Sequence, residues 1–230
     1  MEKFMMKKAK ILAFIQARLT SKRLPNKVLL KLGNKTVIEN IFLRLKNSKF
    51  LNIIIFLVPD NKKNLRLRNF LKKKRYPFFS GSENNVLDRF YKASKKYKPD
   101  IIIRITADCP LVDYRLMDKM LEKFINNSRT NYLSNTDPRS FPDGLDIEIF
   151  TSKAMEQASN FAKKKYDLEH VTPYIRNNFK RLNYINKKNL SKLRWTLDTN
   201  KDYGMLRKMF LENKIKPSTS WNEIYRKLNN

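Results

Sequence analysis

Residues Ile11-Leu-Ala-Phe-Ile-Gln-Ala-Arg-Leu-Thr-Ser-Lys-Arg-Leu-Pro-Asn-Lys27 pass from a short apolar run straight into a loop carrying Arg18, Lys22, Arg23 and Lys27. An apolar run of that length predicts a buried strand. Cations gathered at the end of a buried strand are costly unless an anion neutralises them, and a nucleoside triphosphate is the natural candidate. The alternative is a solvated basic loop in a chain that is basic throughout.

Outward from this stretch, strand and helix patterns alternate, which predicts a mostly parallel sheet covered by helices. Lys10–Gln16 is the first predicted strand. Thr36-Val-Ile-Glu39 has the form of a capping box, opening a helix whose apolar residues Val37, Ile38, Ile41, Phe42 and Leu45 recur at helical spacing. A strand over Asn52–Val58, a basic helix over Asn61–Lys74, an extended Pro77–Gly81 segment and a helix over Val86–Lys98 follow. Asp100–Ile105 is almost continuously apolar, as a central parallel strand should be. Beyond it come a helix (Tyr114–Asn127), short strands (Asn131–Ser134 and Leu145–Phe150) and helices (Ser152–Lys164 and Leu168–Asn178). Strands near Leu182–Ile185 and Leu193–Leu197 precede two closing helices, the last over Trp221–Leu228. With no repeat and no low-complexity linker, residues 1–230 read as a single domain.

The 230 residues, 41% hydrophobic and 12% aromatic, suffice for a large core. The single cysteine excludes a disulfide framework and is compatible with a reducing cytoplasm. A net charge of +29 ordinarily points to nucleic acid or an anionic membrane. Here the lysines are spread along the chain, as in Lys72-Lys73-Lys74 and Lys163-Lys164-Lys165, so no specific nucleic-acid partner is expected. The N-terminus, Met1–Ala17, imitates a signal peptide through Lys7, Lys8 and Lys10. Its apolar run is too short, though, and lacks a small-residue cleavage pattern. No apolar stretch is long enough for a membrane span. With four glycines in all, neither the dinucleotide fingerprint nor the P-loop is present.

Acids recur where a ligand crevice is expected. Asp108, in Arg104-Ile-Thr-Ala-Asp-Cys-Pro-Leu-Val-Asp113, lies just past the predicted central strand and should face the same space as the loop after Gln16. A carboxylate there suits a hard divalent cation; its rival role is a helix cap. Asp198, ending Leu193-Arg-Trp-Thr-Leu-Asp198, has the same address and the same rival. Asn135, Asp143, Asp146 and Glu148, in a turn-rich acidic segment, could grip substrate hydroxyls. His170, the sole histidine, reads as packing or capping and cannot build a zinc site. Cys109 reads as an inert loop residue, because Asp108 beside it raises a thiol pKa.

Gln16-Ala-Arg-Leu-Thr-Ser-Lys-Arg-Leu-Pro-Asn-Lys-Val-Leu29 resembles the opening motif of the cytidylyltransferases that make CMP-activated acidic sugars. Within that family the chain is most similar to the spore-coat polysaccharide biosynthesis group. The likeness continues in register through Ser80–Arg89, Arg104–Asp113, Ser134–Thr136, Phe141–Glu148, Glu169–Ile175 and Leu193–Asp198. It implies a three-layer α/β/α nucleotide-diphospho-sugar transferase (Rossmann-like) fold. The implied reaction is transfer of CMP from CTP to an acidic sugar, with release of pyrophosphate, in surface-polysaccharide biosynthesis. By the same resemblance Arg18 and Lys27 hold the triphosphate, and Ser21 and Arg23 support them. Gln16 and Ala17 flank the base, Arg89 is a further nucleotide contact, and Asp108 and Asp198 bind Mg²⁺. Relatives imply a homodimer. Asn26 stands where the family commonly has glycine, Thr20-Ser21 where it has Gly-Ser, and Asn200-Lys201 where it has Pro-Glu. Two rivals remain open: a metal-dependent glycosyltransferase using Asp146 and Glu148, and a basic nucleic-acid binder.

Overall fold

A computed structural model describes residues 9–229, so Lys7 and Lys8 of the signal-like N-terminus lie outside the described residues. The elements are β1 (Ile11–Gln16), β2 (Lys31–Leu32), β3 (Lys35–Thr36), α1 (Val37–Leu45), β4 (Ile53–Pro59), α2 (Leu65–Lys73), β5 (Phe78–Gly81) and α3 (Val86–Tyr97). β6 (Ile101–Thr106), α4 (Tyr114–Ile125), β7 (Tyr132–Ser134), β8 (Glu148–Thr151), α5 (Ser152–Phe161) and α6 (Lys165–His170) follow. The chain then forms α7 (Pro173–Asn178), β9 (Arg181–Asn183), α8 (Asn200–Glu212) and α9 (Trp221–Asn229).

Seven strands form one sheet in the order β5-β4-β1-β6-β8-β7-β9. β1 pairs in parallel with both β4 and β6, and within this sheet only the pairings of β8 with β6 and β7 are antiparallel; β2 and β3 form a separate antiparallel pair. The expected mostly parallel α/β sheet is therefore present. Side-chain alternation along β1 divides the core into two layers. Ile11, Ala13 and Ile15 pack beneath α1, α2, α4, α8 and α9, while Leu12 and Phe14 pack beneath α3, α5 and α7. Both faces being covered explains why β1, β4 and β6 read as nearly continuous apolar runs.

Local chemistry sets the helix starts. Thr36 and Glu39 complete the predicted capping box of α1, with each side chain bonded to the other's backbone N–H. Asp113 caps α4, and Thr199 with Asp202 forms a capping box on α8. Asn200 and Lys201, where the family has other residues, leave that box intact.

Three expectations are corrected. Leu193–Leu197 is not a strand: it is an extended segment bridged once, Asp143 to Arg194, because its neighbours are loops rather than a ladder. Leu168–Asn178 is not one helix but α6 and α7, broken where Val171 takes a positive φ of 71° before Pro173. Leu145–Ile147 also stays outside β8, so Asp146 does not share a strand face with Glu148. Among the described residues, no helix is long and apolar enough to cross a membrane.

Candidate active site

From β1 the chain moves to β4 and β5 on one side, then returns to place β6 on the other side. The loops leaving β1 and β6 therefore part company at the carboxyl ends of adjacent strands, which opens a crevice between them. The loop after β1 is held by backbone bonds. Asn26 N–H donates to Leu19 carbonyl (2.9 Å), and Leu19 N–H donates to the Asn64 side chain (2.8 Å). Asn26 is left-handed (φ 59°), a conformation Asn tolerates well, so the usual glycine is dispensable there.

A cavity of about 870 Å³ fills the crevice, lined by Gln16, Ala17, Arg18, Ser21, Arg23 and Lys27. Asp108 and Asp198 face them across it. Neither acid is the N-cap of the helix that follows it, since Asp113 and Thr199 take those positions. The Lys27 ammonium bonds Asp108 Oδ2 (3.1 Å), Asp198 Oδ1 (3.2 Å) and the Leu197 carbonyl (2.9 Å). Arg23 pairs with the other Asp198 oxygen. Burial opposes ionisation of Asp108, yet the Lys27 charge and bonds from Thr106 and Lys27 prevail, holding its carboxyl below the usual range. Cys109 is buried, which pushes its thiol well above its ordinary pKa, and Asp108 adds to this, in keeping with an inert thiol.

A second cavity of about 450 Å³ shares Thr106 and His170 with the first and takes in Asp146 and Glu148. Both acids are engaged internally. Asp146 accepts two bonds from Arg139 (2.5 and 2.8 Å), while Glu148 pairs with Arg104 and accepts from Tyr132 and Thr172 (2.6 Å each). Arg104 also donates to Gln16 Oε1 (3.1 Å), tying the two cavities together. Among the described residues no group of three potential ligands gathers for a metal, at Glu148 or elsewhere.

Three predicted contacts fall outside these walls. Asn135 is buried, its amide donating to the Leu145 carbonyl (2.8 Å) and accepting from Ile147 N–H (2.9 Å), so it braces the acidic segment. Asp143 pairs with Arg139 (3.5 Å) and Arg194 (2.9 Å) beside the Leu193–Leu197 segment. Arg89 is buried on α3 behind the cavity, its guanidinium donating to the Ser82 carbonyl (2.7 Å). Burial, reinforced by the Arg18 charge, lowers its pKa to about 10. In each case a charged or amide residue near the motif serves the scaffold instead of lining the cavity.

Several wall residues escaped the sequence reading, Glu83 and His170 among them. Glu83 accepts from both Thr20 and Asn61, latching the β1 loop to its neighbours. His170, expected to be a packing or capping residue, stands on the wall between the two cavities with its ring against Tyr166 (4.4 Å between centroids). The signals for it in sequence were its uniqueness in the chain and its place in the Glu169–Ile175 segment of family likeness.

The family model described as cytidylyltransferase matches residues 12–221. The chain belongs to this family. A cytidylyltransferase from Leptospira borgpetersenii serovar Hardjo-bovis superposes with a TM-score of 0.91 at 34% identity, covering 96% of this chain and 94% of that one. The spore coat polysaccharide biosynthesis protein SpsF of Bacillus subtilis is 32% identical over 95% of this chain and 94% of its own length. The uncharacterised protein MJ1063 of Methanocaldococcus jannaschii is 43% identical, over 88% of this chain and 82% of its own. The cytidylyltransferase match spans both cavity-lining loops and the segment bearing Asp198.

Proposed function

We propose that this cytidylyltransferase moves CMP from CTP to an acidic sugar, releasing pyrophosphate, in the synthesis of a surface polysaccharide. The observation that carries the reading is the convergence of Arg18, Arg23 and Lys27 with Asp108 and Asp198 around one cavity at the β1–β6 crevice. The family match supports the nucleotide, and the likeness to SpsF supports the pathway.

In this reading Arg18, Ser21, Arg23 and Lys27 bind the triphosphate, Gln16 and Ala17 flank the cytosine, and the second cavity receives the acceptor. Cations placed on the phosphates spread the charge that develops as the acceptor oxygen bonds to the α-phosphorus and pyrophosphate departs with its electron pair. Asp108 and Asp198 fit Mg²⁺ as a donor set: two hard carboxylates facing one cavity, leaving coordination places to phosphate oxygens and water. When bound, the ion would supply Lewis-acid polarisation of the phosphates. The proposed setting is a homodimer in the cytoplasm.

Calorimetry with CTP, ATP, GTP and UTP in the presence of Mg²⁺ tests the nucleotide, and an acceptor panel with pyrophosphate detection tests the transfer. Preference for another nucleotide, or sugar transfer from nucleotide sugars without pyrophosphate formed from CTP, would overturn the reading. The glycosyltransferase rival is disfavoured by the cytidylyltransferase family match over residues 12–221.

A further inference from the structure

Only 11% of the Lys27 side chain is exposed, and its ammonium has three acceptors: the Leu197 carbonyl, Asp108 and Asp198. A lysine ammonium has three donors, so this arrangement leaves none for a phosphate. It also sets a full positive charge between the two carboxylates, where a second cation would be repelled. The duties assigned above, Lys27 on the triphosphate and the acids on a metal, are therefore incompatible with the observed contacts.

One movement reconciles them. The Lys27 backbone is fixed by its N–H to Leu24 and its carbonyl to Leu30, but its four-carbon stem can swing the ammonium while the main chain stays in place. A polyphosphate in the cavity would offer the ammonium new acceptors and leave the carboxylates free. Arg23, on the outer Asp198 oxygen, has a largely exposed side chain and can follow.

We propose that Lys27 is the resident counter-ion of the Asp108–Asp198 pair. Its ammonium keeps the place of a divalent cation until a polyphosphate draws it away, so metal entry is coupled to nucleotide entry. This rests on the metal assignment made above. It explains how two acids on one cavity wall coexist when, among the described residues, no group of three potential metal ligands gathers.

The test is titration of Mn²⁺ into the nucleotide-free protein, followed by calorimetry and by the melting temperature. Wild type is expected to bind Mn²⁺ weakly. K27M and K27Q, which keep the stem and remove the charge, should bind one ion at least about tenfold tighter, a gain of roughly 1.4 kcal/mol. Their melting temperature should fall in chelator and recover with Mn²⁺, a response wild type lacks. Adding D198N to K27Q should abolish the gain, and K27R, which keeps a cation, should stay as weak as wild type. Unchanged Mn²⁺ affinity in both neutral variants, with Mn²⁺ still binding the wild-type CTP complex, overturns the counter-ion role and leaves the metal assignment standing. No Mn²⁺ binding in any state, CTP included, overturns both. Should both neutral variants fail to fold, tight Mn²⁺ binding to nucleotide-free wild type overturns the proposal, and weak binding there with K27R unchanged supports it.

Discussion

The backbone N–H of Leu197 donates to the Asp108 carbonyl at 2.8 Å, and the Thr196 hydroxyl reaches the same oxygen at 3.2 Å. The spacing of the two acids is thus set by main chain, independently of their side chains. Replacing either carboxylate with its amide should leave that frame standing while removing a charge from the cavity. We expect D108N and D198N to lower pyrophosphate release from CTP by about 10²–10³-fold, the scale for losing one preorganised electrostatic group. Full activity in either variant would take that residue out of the mechanism.

Gly144 makes the docking of the same segment possible. It has φ +111°, and a Cβ there would lie 2.5 Å from the Trp195 carbonyl carbon and 2.6 Å from the Thr196 nitrogen. Both obstacles are backbone and cannot rotate aside. G144A should therefore push away the stretch that bears Asp198. Backbone strain of about 1–3 kcal/mol is expected, lowering the melting temperature by roughly 2–4 °C per kcal/mol in a chain of this size. CTP affinity should fall with it. A variant with wild-type melting and wild-type affinity would show that the segment is not held by this approach.

What the sequence discloses and what it conceals follows contact range. The β1 run, the Thr36–Glu39 box and the apolar β6 strand depend on neighbours within a few residues, and each is found as expected. The cationic loop and Asp108 could be placed because strand ends in an open α/β sheet share one crevice, whereas Asp198 reaches that crevice on an extended segment that is not a strand. Leu193–Leu197 misled because it is extended and buried toward its end, at Trp195, Thr196 and Leu197, but the partners along its edge are the Asp143 and Asp108 loops. Asn135 and Asp143 could not be sorted from sequence, because a polar residue in an acidic turn reads alike whether it meets substrate or braces backbone. The wall position of His170 was not legible because it depends on a helix break at Val171, an ordinary core residue in sequence, although Pro173 just beyond marks the boundary.

Glu148 predicts a pH dependence of stability. Burial pushes its carboxyl up, but Arg104, with bonds from Thr172 and Tyr132, outweighs this and holds it below the ordinary 4.5. A carboxyl depressed on folding contributes stability in full above its unfolded value and loses it as pH falls through the folded value. The advantage of wild type over E148Q in urea unfolding should therefore be constant from neutrality down to about pH 5 and shrink at more acid pH. At neutrality the difference should be about 3–5 kcal/mol, because the substitution leaves Arg104 without its partner. A difference that grows on acidification would contradict the assigned direction.

Val171 closes a three-residue turn at φ +71° and ψ −54°, with the Thr172 N–H donating to the His170 carbonyl at 2.8 Å. A β-branched residue rarely adopts that conformation, and the strained side is worth about 1–3 kcal/mol. Its side chain is fully buried, so the core beneath α5 and α7 holds the turn in place. On either side of it, His170 is delivered to the wall between the cavities and Thr172 to Glu148. V171G relieves the strain while deleting buried atoms, whose loss alone ordinarily costs about 2–5 kcal/mol for an aliphatic core residue. The two effects oppose each other, so the net loss in urea unfolding should fall short of the full cavity cost by about 1–3 kcal/mol, together with reduced turnover as His170 loses its fixed position. A loss of the full cavity size would mean that the turn stores no strain, and unchanged turnover would mean that the placement of His170 does not matter to the reaction.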